Sequence, residues 1–258
     1  MKNKKIKKYI ALIMLANCSF VLAQINKIET PKPEPINPIV SPNSFDEGGL
    51  RQGLWNGFYN DSKILRYTGN FNHGKEIGLF TYYANSDKKL VMATRNFDNK
   101  NNAYTIFFDE NKDKVSEGNM HNKLREGPWK YYHKGLKTVM TTENYIKDKL
   151  EGSRKVFYPN EKLAEEISYK NNLKEGISKK YSKEGKLVEE STFSKNVLQG
   201  PYKVYEGSGK VVISGQFKED KKNGIWNYFE KGKLVRQMNA DTINGHKKGS
   251  RKKNGEKS

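Results

Sequence analysis

The chain has 258 residues, a formal net charge of +19 and one cysteine. A single cysteine excludes an intramolecular disulfide framework, and so positive a balance points to anionic or acidic partners. The four histidines, His73, His121, His133 and His246, lack metal-ligand spacing, and neither a nucleophile motif nor a glycine-rich phosphate loop occurs, so no catalytic site and no cofactor is expected.

Residues 1–23 open with Lys2, Lys4, Lys5, Lys7 and Lys8, continue through the apolar residues 10–15 and end on Val21, Leu22 and Ala23. This is the layout of a secretory signal peptide, and the apolar run is too short to span a membrane. Export to the periplasm, the outer membrane surface or the medium is expected, with no transmembrane helix once the signal is removed. Residues 15–18, Leu-Ala-Asn-Cys, also have the form of a lipoprotein cleavage box in which Cys18 would be acylated. Asn17 is a poor residue just before such a cut, which favours cleavage after Ala23. Loss of the five lysines leaves a charge of about +14. In an exported protein that charge faces lipid headgroups, lipopolysaccharide, acidic glycans and acidic proteins rather than nucleic acid.

Residues 24–47 hold Pro31, Pro33, Pro35, Pro38 and Pro42, five of the eight prolines, and read as an extended linker. Residues 48–237 are a repeat. Gly-Pro-Trp-Lys-Tyr-Tyr begins at Gly127, Gly-Ser-Arg-Lys-Val-Phe at Gly152, Gly-Ile-Ser-Lys-Lys-Tyr at Gly176, Gly-Pro-Tyr-Lys-Val-Tyr at Gly200 and Gly-Ile-Trp-Asn-Tyr-Phe at Gly224. The spacing is about 24 residues, and earlier copies open at Gly53, Gly78 and, degenerately, Ala103. Phe58, Tyr83, Phe108, Tyr132, Phe157, Tyr181, Tyr205 and Phe229 stand five residues after each opening, in a chain only 12% aromatic.

Six residues after that aromatic comes an aliphatic residue (Leu163, Leu187, Val211), and after six more another aromatic (Tyr169, Phe193, Phe217). The second run of each copy alternates with the period of a strand, and 159–161, 183–185 and 207–209 supply turn chemistry. Each copy therefore reads as a β-hairpin. Facing the aromatic with the aliphatic pairs Phe157 with Leu163, Tyr181 with Leu187 and Tyr205 with Val211. The same register sets Lys155 opposite Glu165 and Lys179 opposite Glu189. A lone hairpin buries too little to stand, so the copies are expected to stack edge to edge. The fold expected is all-β: an elongated antiparallel β-meander of about eight stacked hairpin repeats and about 16 strands, twisted or curled, with disordered termini. Glu165-Glu166 and Glu189-Glu190 recur at the repeat period and are features of the repeat rather than catalytic pairs.

Two surfaces are candidates for binding. Lys130, Lys155, Lys179 and Lys203 recur at one position and would form a row at roughly 10 Å intervals, suited to an anion. Trp55, Trp129, Tyr202 and Trp226 fall on the opposite face, as packing inside a curled sheet or as an aromatic contact for a partner. An edge strand at either end is a further place for strand addition. Residues 238–258, rich in Lys and Gly, cannot bury a core and are expected to form a basic disordered tail.

The run opening at Gly127, the Gly turns, Lys-Leu-Val-Glu-Glu at residues 186–190 and the Glu/Gln/Asn-Gly pairs resemble the bacterial variant of the membrane occupation and recognition nexus (MORN) repeat. Bacterial proteins of this kind are grouped under the YwqK-type antitoxin family. The resemblance covers roughly residues 49–237 and implies a lipid-binding, protein-binding or scaffolding surface; it carries no functional residue with it. The expectation is thus a non-catalytic exported protein at the bacterial cell envelope. Its partner is another protein, with an antitoxin-like role within that reading, or alternatively anionic lipid or lipopolysaccharide held by the lysine row and the tail.

Overall fold

The computed structural model describes residues 42–98 and 100–242. The expectations placed on the signal peptide, on Cys18, on most of the proline-rich stretch and on most of the basic tail lie outside the described residues. A two-residue strand, β1 (Ser44–Phe45), precedes eight units. These are β2 (Arg51–Phe58) with β3 (Leu65–Asn72), β4 (Lys75–Tyr83) with β5 (Val91–Phe97), β6 (Asn102–Phe108) with β7 (Lys114–His121), and β8 (Leu124–Tyr132) with β9 (Val139–Ile146). Then follow β10 (Lys149–Leu150) and β11 (Gly152–Phe157), two halves of one strand, with β12 (Leu163–Lys170). The last three are β13 (Leu173–Tyr181) with β14 (Leu187–Ser194), β15 (Val197–Tyr205) with β16 (Val211–Lys218), and β17 (Lys221–Glu230) with β18 (Lys233–Asn239). Apart from β10 and β11, which both pair with β9, every strand pairs antiparallel with its chain neighbours in one open 18-stranded sheet, the expected meander of stacked hairpins. No helix among the described residues is long and apolar enough to cross a membrane.

Hairpin tips set the register. In the fifth copy Tyr158 N–H donates to Lys162 O at 2.9 Å, closing residues 159–161 into the loop, with Glu161 left-handed (φ 62°). Gly185 and Gly209 hold the equivalent left-handed place in the next two copies. The pairs Phe157 with Leu163, Tyr181 with Leu187 and Tyr205 with Val211 form as expected. Immediately beyond them the register slips by one in all eight hairpins, because the second strand carries a bulged residue such as Ala164. Lys155 therefore faces Glu166, not Glu165, and Lys179 faces Glu190, not Glu189. A one-residue slip exchanges sheet faces. Glu165 moves to the side of Arg154, whose Nη1 lies 3.6 Å away.

Except between β5 and β6, turns between hairpins are two-residue connections in which both residues are left-handed, as the twist of a tight hairpin requires. Asn171 and Asn172 (φ 51° and 69°) and Lys195 and Asn196 (φ 50° and 73°) are examples. Such turns are held from both sides. The residue before the opening glycine accepts from the next turn: Lys147 N–H donates to Glu126 at 2.9 Å, Asn171 N–H to Glu151 at 2.8 Å and Lys195 N–H to Glu175 at 2.9 Å. In return Asn172, Asn196 and Asp220 accept from Leu150, Lys174 and Leu198 of the preceding copy. The recurring Glu/Gln-Gly pair is thus a staple between copies. The opening glycine itself has positive φ (92° at Gly176) and lies within a second register shift, between copies. Where Ala103 replaces it, β5 and β6 pair without any shift, because an alanine Cβ disfavours the left-handed backbone such a bulge uses.

One side of the sheet is packed. Phe80, Trp129, Ile167 and Trp226 are almost wholly buried there. Volume is complementary at successive junctions. Trp129 lies on Gly118 and Trp226 on Gly215, so close that a Cβ on either glycine would stand about 2.5 Å from the indole. Where the preceding residue is the large Ile167, its partner is Ser178. Aromatic contacts run Phe45, Trp55, Phe71, Phe80, Phe97 at one end and Tyr202, Phe217, Trp226 at the other. Between them the packing turns ionic: Arg154 donates to Glu143 at 2.9 Å, Tyr145 donates to the same carboxylate, and Tyr131 joins Tyr145 to Arg125 and Asp148.

Candidate functional site

The other side of the sheet carries the lysines. Strand alternation places the first, third and fifth residues after each opening position on this side, and pairing aligns them into rows that cross the sheet. The middle row is a charge ladder. Glu117 faces Lys130, Lys130 and Lys155 both face Thr142, Glu166 lies between Lys155 and Lys179, and Glu190 lies between Lys179 and Lys203. Lys155 Nζ is 3.5 Å from Glu166 and Lys179 Nζ 3.6 Å from Glu190. Of the four lysines expected as an anion row, Lys130 and Lys203 are exposed, whereas Lys155 and Lys179 are half-buried beside carboxylates. Alternation of sign removes most of the field that an anion would follow.

Carboxylates of this ladder are also anchored from the side. Glu117 is buried, which opposes its ionisation. Hydrogen bonds from Lys114 (2.8 Å) and Tyr132 outweigh that cost and hold its carboxyl below the usual range. Tyr205 donates to Glu190, and burial together with this carboxylate pushes the phenol up to about 12. On the packed side Tyr202 donates to Glu189 at 3.1 Å and is likewise pushed up to about 12, by burial first and then by that charge. These tyrosines are donors throughout the physiological range.

Trp129 and Trp226 are 2% and 1% exposed on the packed side, and Trp55 and Tyr202 are half-buried there. Trp55 and Trp129 also spend their indole N–H groups within the sheet, on Ser44 O at 3.0 Å and Asn119 O at 2.9 Å. These rings join copies.

What the lysine side offers a partner is the row just after the opening position, which reasoning from the lysines and aromatics overlooked. Leu54, Leu79, Tyr104, Ile177 and Ile225 occupy it and are exposed, Ile177 and Leu79 by 56% and 59%. Pro128 and Pro201 continue the row, and only Ser153 interrupts its apolar character. Paired with it in each hairpin is an amide or hydroxyl residue: Asn70, Asn96, Asn119, Asn144, Ser168, Thr192, Gln216 and Asn239. The signal was present as Gly-Leu, Gly-Pro and Gly-Ile, but a residue beside a glycine bulge is easily read as part of the turn. A concavity of about 310 Å³ lined by Lys112, Asp113, Lys114, Tyr132, Leu136 and Lys137 lies at the hairpin tips of the third and fourth copies.

Comparison with curated proteins gave no match. The family model described as MORN repeat variant matches residues 150–171 and 174–195, two adjacent hairpins of the ladder and the same unit that the other copies repeat, so that the chain carries MORN-type repeats, which are binding modules rather than a catalytic family.

Proposed function

We propose that this chain is a non-catalytic binding or scaffolding protein whose partner is another protein seated on the lysine side of the sheet. The observation that carries this reading is the exposed row Leu54, Leu79, Tyr104, Ile177 and Ile225, set in register beside amide and hydroxyl side chains. Aligned exposed aliphatics offer a partner about 1.5–3 kcal/mol for each one fully buried, and the neighbouring amides supply hydrogen bonds for its backbone. The basic and apolar layout of residues 1–23 supports export to the bacterial cell envelope as the setting. An antitoxin-like role, in which the sheet covers the working surface of its partner, fits the resemblance to bacterial MORN-variant proteins. The glutamates in the lysine ladder weigh against anionic lipid or lipopolysaccharide as the main ligand.

Cross-linking in intact cells, followed by affinity capture of the tagged protein with a high-salt wash, tests this. One protein recovered in near-equal amount is expected, with recovery falling at least about tenfold for Leu79→Asp with Ile177→Asp. Both residues are exposed, so thermal stability should stay unchanged. Recovery of lipid or lipopolysaccharide that leaves in salt, with no stoichiometric protein, would overturn the proposal.

A further inference from the structure

The two ends of the sheet are finished differently. At the N-terminal end, Asn43 and β1 cover β2: Asn43 N–H donates to Leu54 O at 2.8 Å, the Asn43 side chain bonds both the N–H and the C=O of Asn56, and Ser44 pairs with Gln52. That edge is sealed by the chain itself. At the C-terminal end, β18 pairs with β17 on one side, and among the described residues no strand is in register with the other, β2 being taken up by β1 and β3. Residues 240–242 turn helically at its end, with Ala240 buried and Asp241 accepting from Gly224 N–H at 3.1 Å. Along its length β18 keeps Leu234 and Val235 exposed, at 53% and 54%.

We infer that the outer edge of β18 is a strand-addition site for an extended segment of a partner protein in which apolar and acidic residues alternate. An unpaired edge presents backbone N–H and C=O groups ready to bond a further strand. Lys233 and Arg236 are cations of the kind that guard natural edges against their own kind, and between them two adjacent aliphatics, Leu234 and the bulged Val235, stand open. Charge selects the occupant. Residues 233–239 contain Lys233 and Arg236 and no acid, so a second copy of β18 would bring like charges together across the new ladder. The chain's own residues 243–258 carry six Lys or Arg and one Glu, and meet the same repulsion. An acidic strand meets attraction from both cations while its apolar residues cover Leu234 and Val235.

This inference rests on the protein-binding reading but uses a different surface, so the two fail separately. The probe is a blocked, fluorescent heptapeptide alternating Val and Glu, beside a counterpart with Lys in place of Glu, titrated into the full chain. The acidic peptide is expected to bind at least about tenfold tighter at low salt. It should also slow amide hydrogen exchange across residues 233–239. Val235→Lys should abolish both effects, and Lys233→Glu with Arg236→Glu should reverse the peptide preference. Leu79→Asp with Ile177→Asp, which tests the face, should leave peptide binding unchanged. Equal or absent binding of the two peptides, or amides of β18 already protected in the free protein by its own tail or by a second copy, would overturn the inference.

Discussion

Two kinds of glycine do different work in this repeat, and substitution separates them. Gly118 and Gly215 are absences of a side chain: Cβ atoms there would stand 2.5 and 2.4 Å from the indoles of Trp129 and Trp226. Gly127 is a backbone conformation: its φ is +71° and an added Cβ meets open space. Overpacking against a ring held in a close-packed sheet costs about 2–3 kcal/mol, and a strained left-handed alanine about 1 kcal/mol. Gly118→Ala should therefore lower the urea midpoint more than Gly127→Ala, with the slope of the transition unchanged. Trp129→Leu should recover part of the Gly118→Ala loss, and additive losses would show that the ring is not the obstacle. Of the two kinds, only the opening glycine was conspicuous in the sequence. Gly69, Gly118 and Gly215 stand sixteen or fifteen residues later, in strands where a glycine usually signals weakness.

A hairpin gains its specificity from the pairing that its tip imposes. The third copy has no opening glycine, and its strand β7 carries Glu117, buried to 7% exposure with Lys114 and Tyr132 bonded to it. A carboxyl whose folded pKa lies below its unfolded value contributes stability above the unfolded pKa, near 4.3, and loses it as pH falls through the folded value. Glu117→Gln should cost about 1–2 kcal/mol at pH 7 and should flatten the loss of stability as the pH falls below the ordinary carboxylate range. Urea titrations across that range would show it, and parallel curves for the two proteins would remove Glu117 from the account. This arrangement illustrates the limit of reading a strand by alternation. Tip turns at residues 159–161, 183–185 and 207–209 and the pairs beside them were legible, since turn residues and aromatics mark both. The bulge was not. Ala164 looks like any other strand residue, yet its insertion decides that Glu166 rather than Glu165 meets Lys155. The exposed row after the opening glycines escaped for a related reason, since its accessibility depends on what the strands beside it leave uncovered.

Across the whole sheet each copy touches only its neighbours, so stability is expected to behave as a chain of junctions, and a weakened junction should open locally. The junction between the fourth and fifth copies is unlike the rest. There the first strand is divided into β10 and β11, and Arg154 stands between Glu143 and Glu165, at 2.9 and 3.6 Å, where the first, third and last junctions bring aromatic rings together. The side chains of Glu143 and Arg154 are 14% and 28% exposed, so water screens the pair in part. Removing the cation leaves two carboxylates facing each other, which should cost about 1–3 kcal/mol, below the value for a fully buried pair. Arg154→Met should therefore speed amide exchange in β9, β11 and β12 while β2 to β5 and β15 to β17 keep their protection. Adding Glu143→Gln and Glu165→Gln to that variant removes the stranded charge and should restore most of the protection at this junction, because the loss comes from unpaired carboxylates and not from missing packing. Uniform loss of protection along the sheet would show instead that the copies unfold as a single cooperative unit.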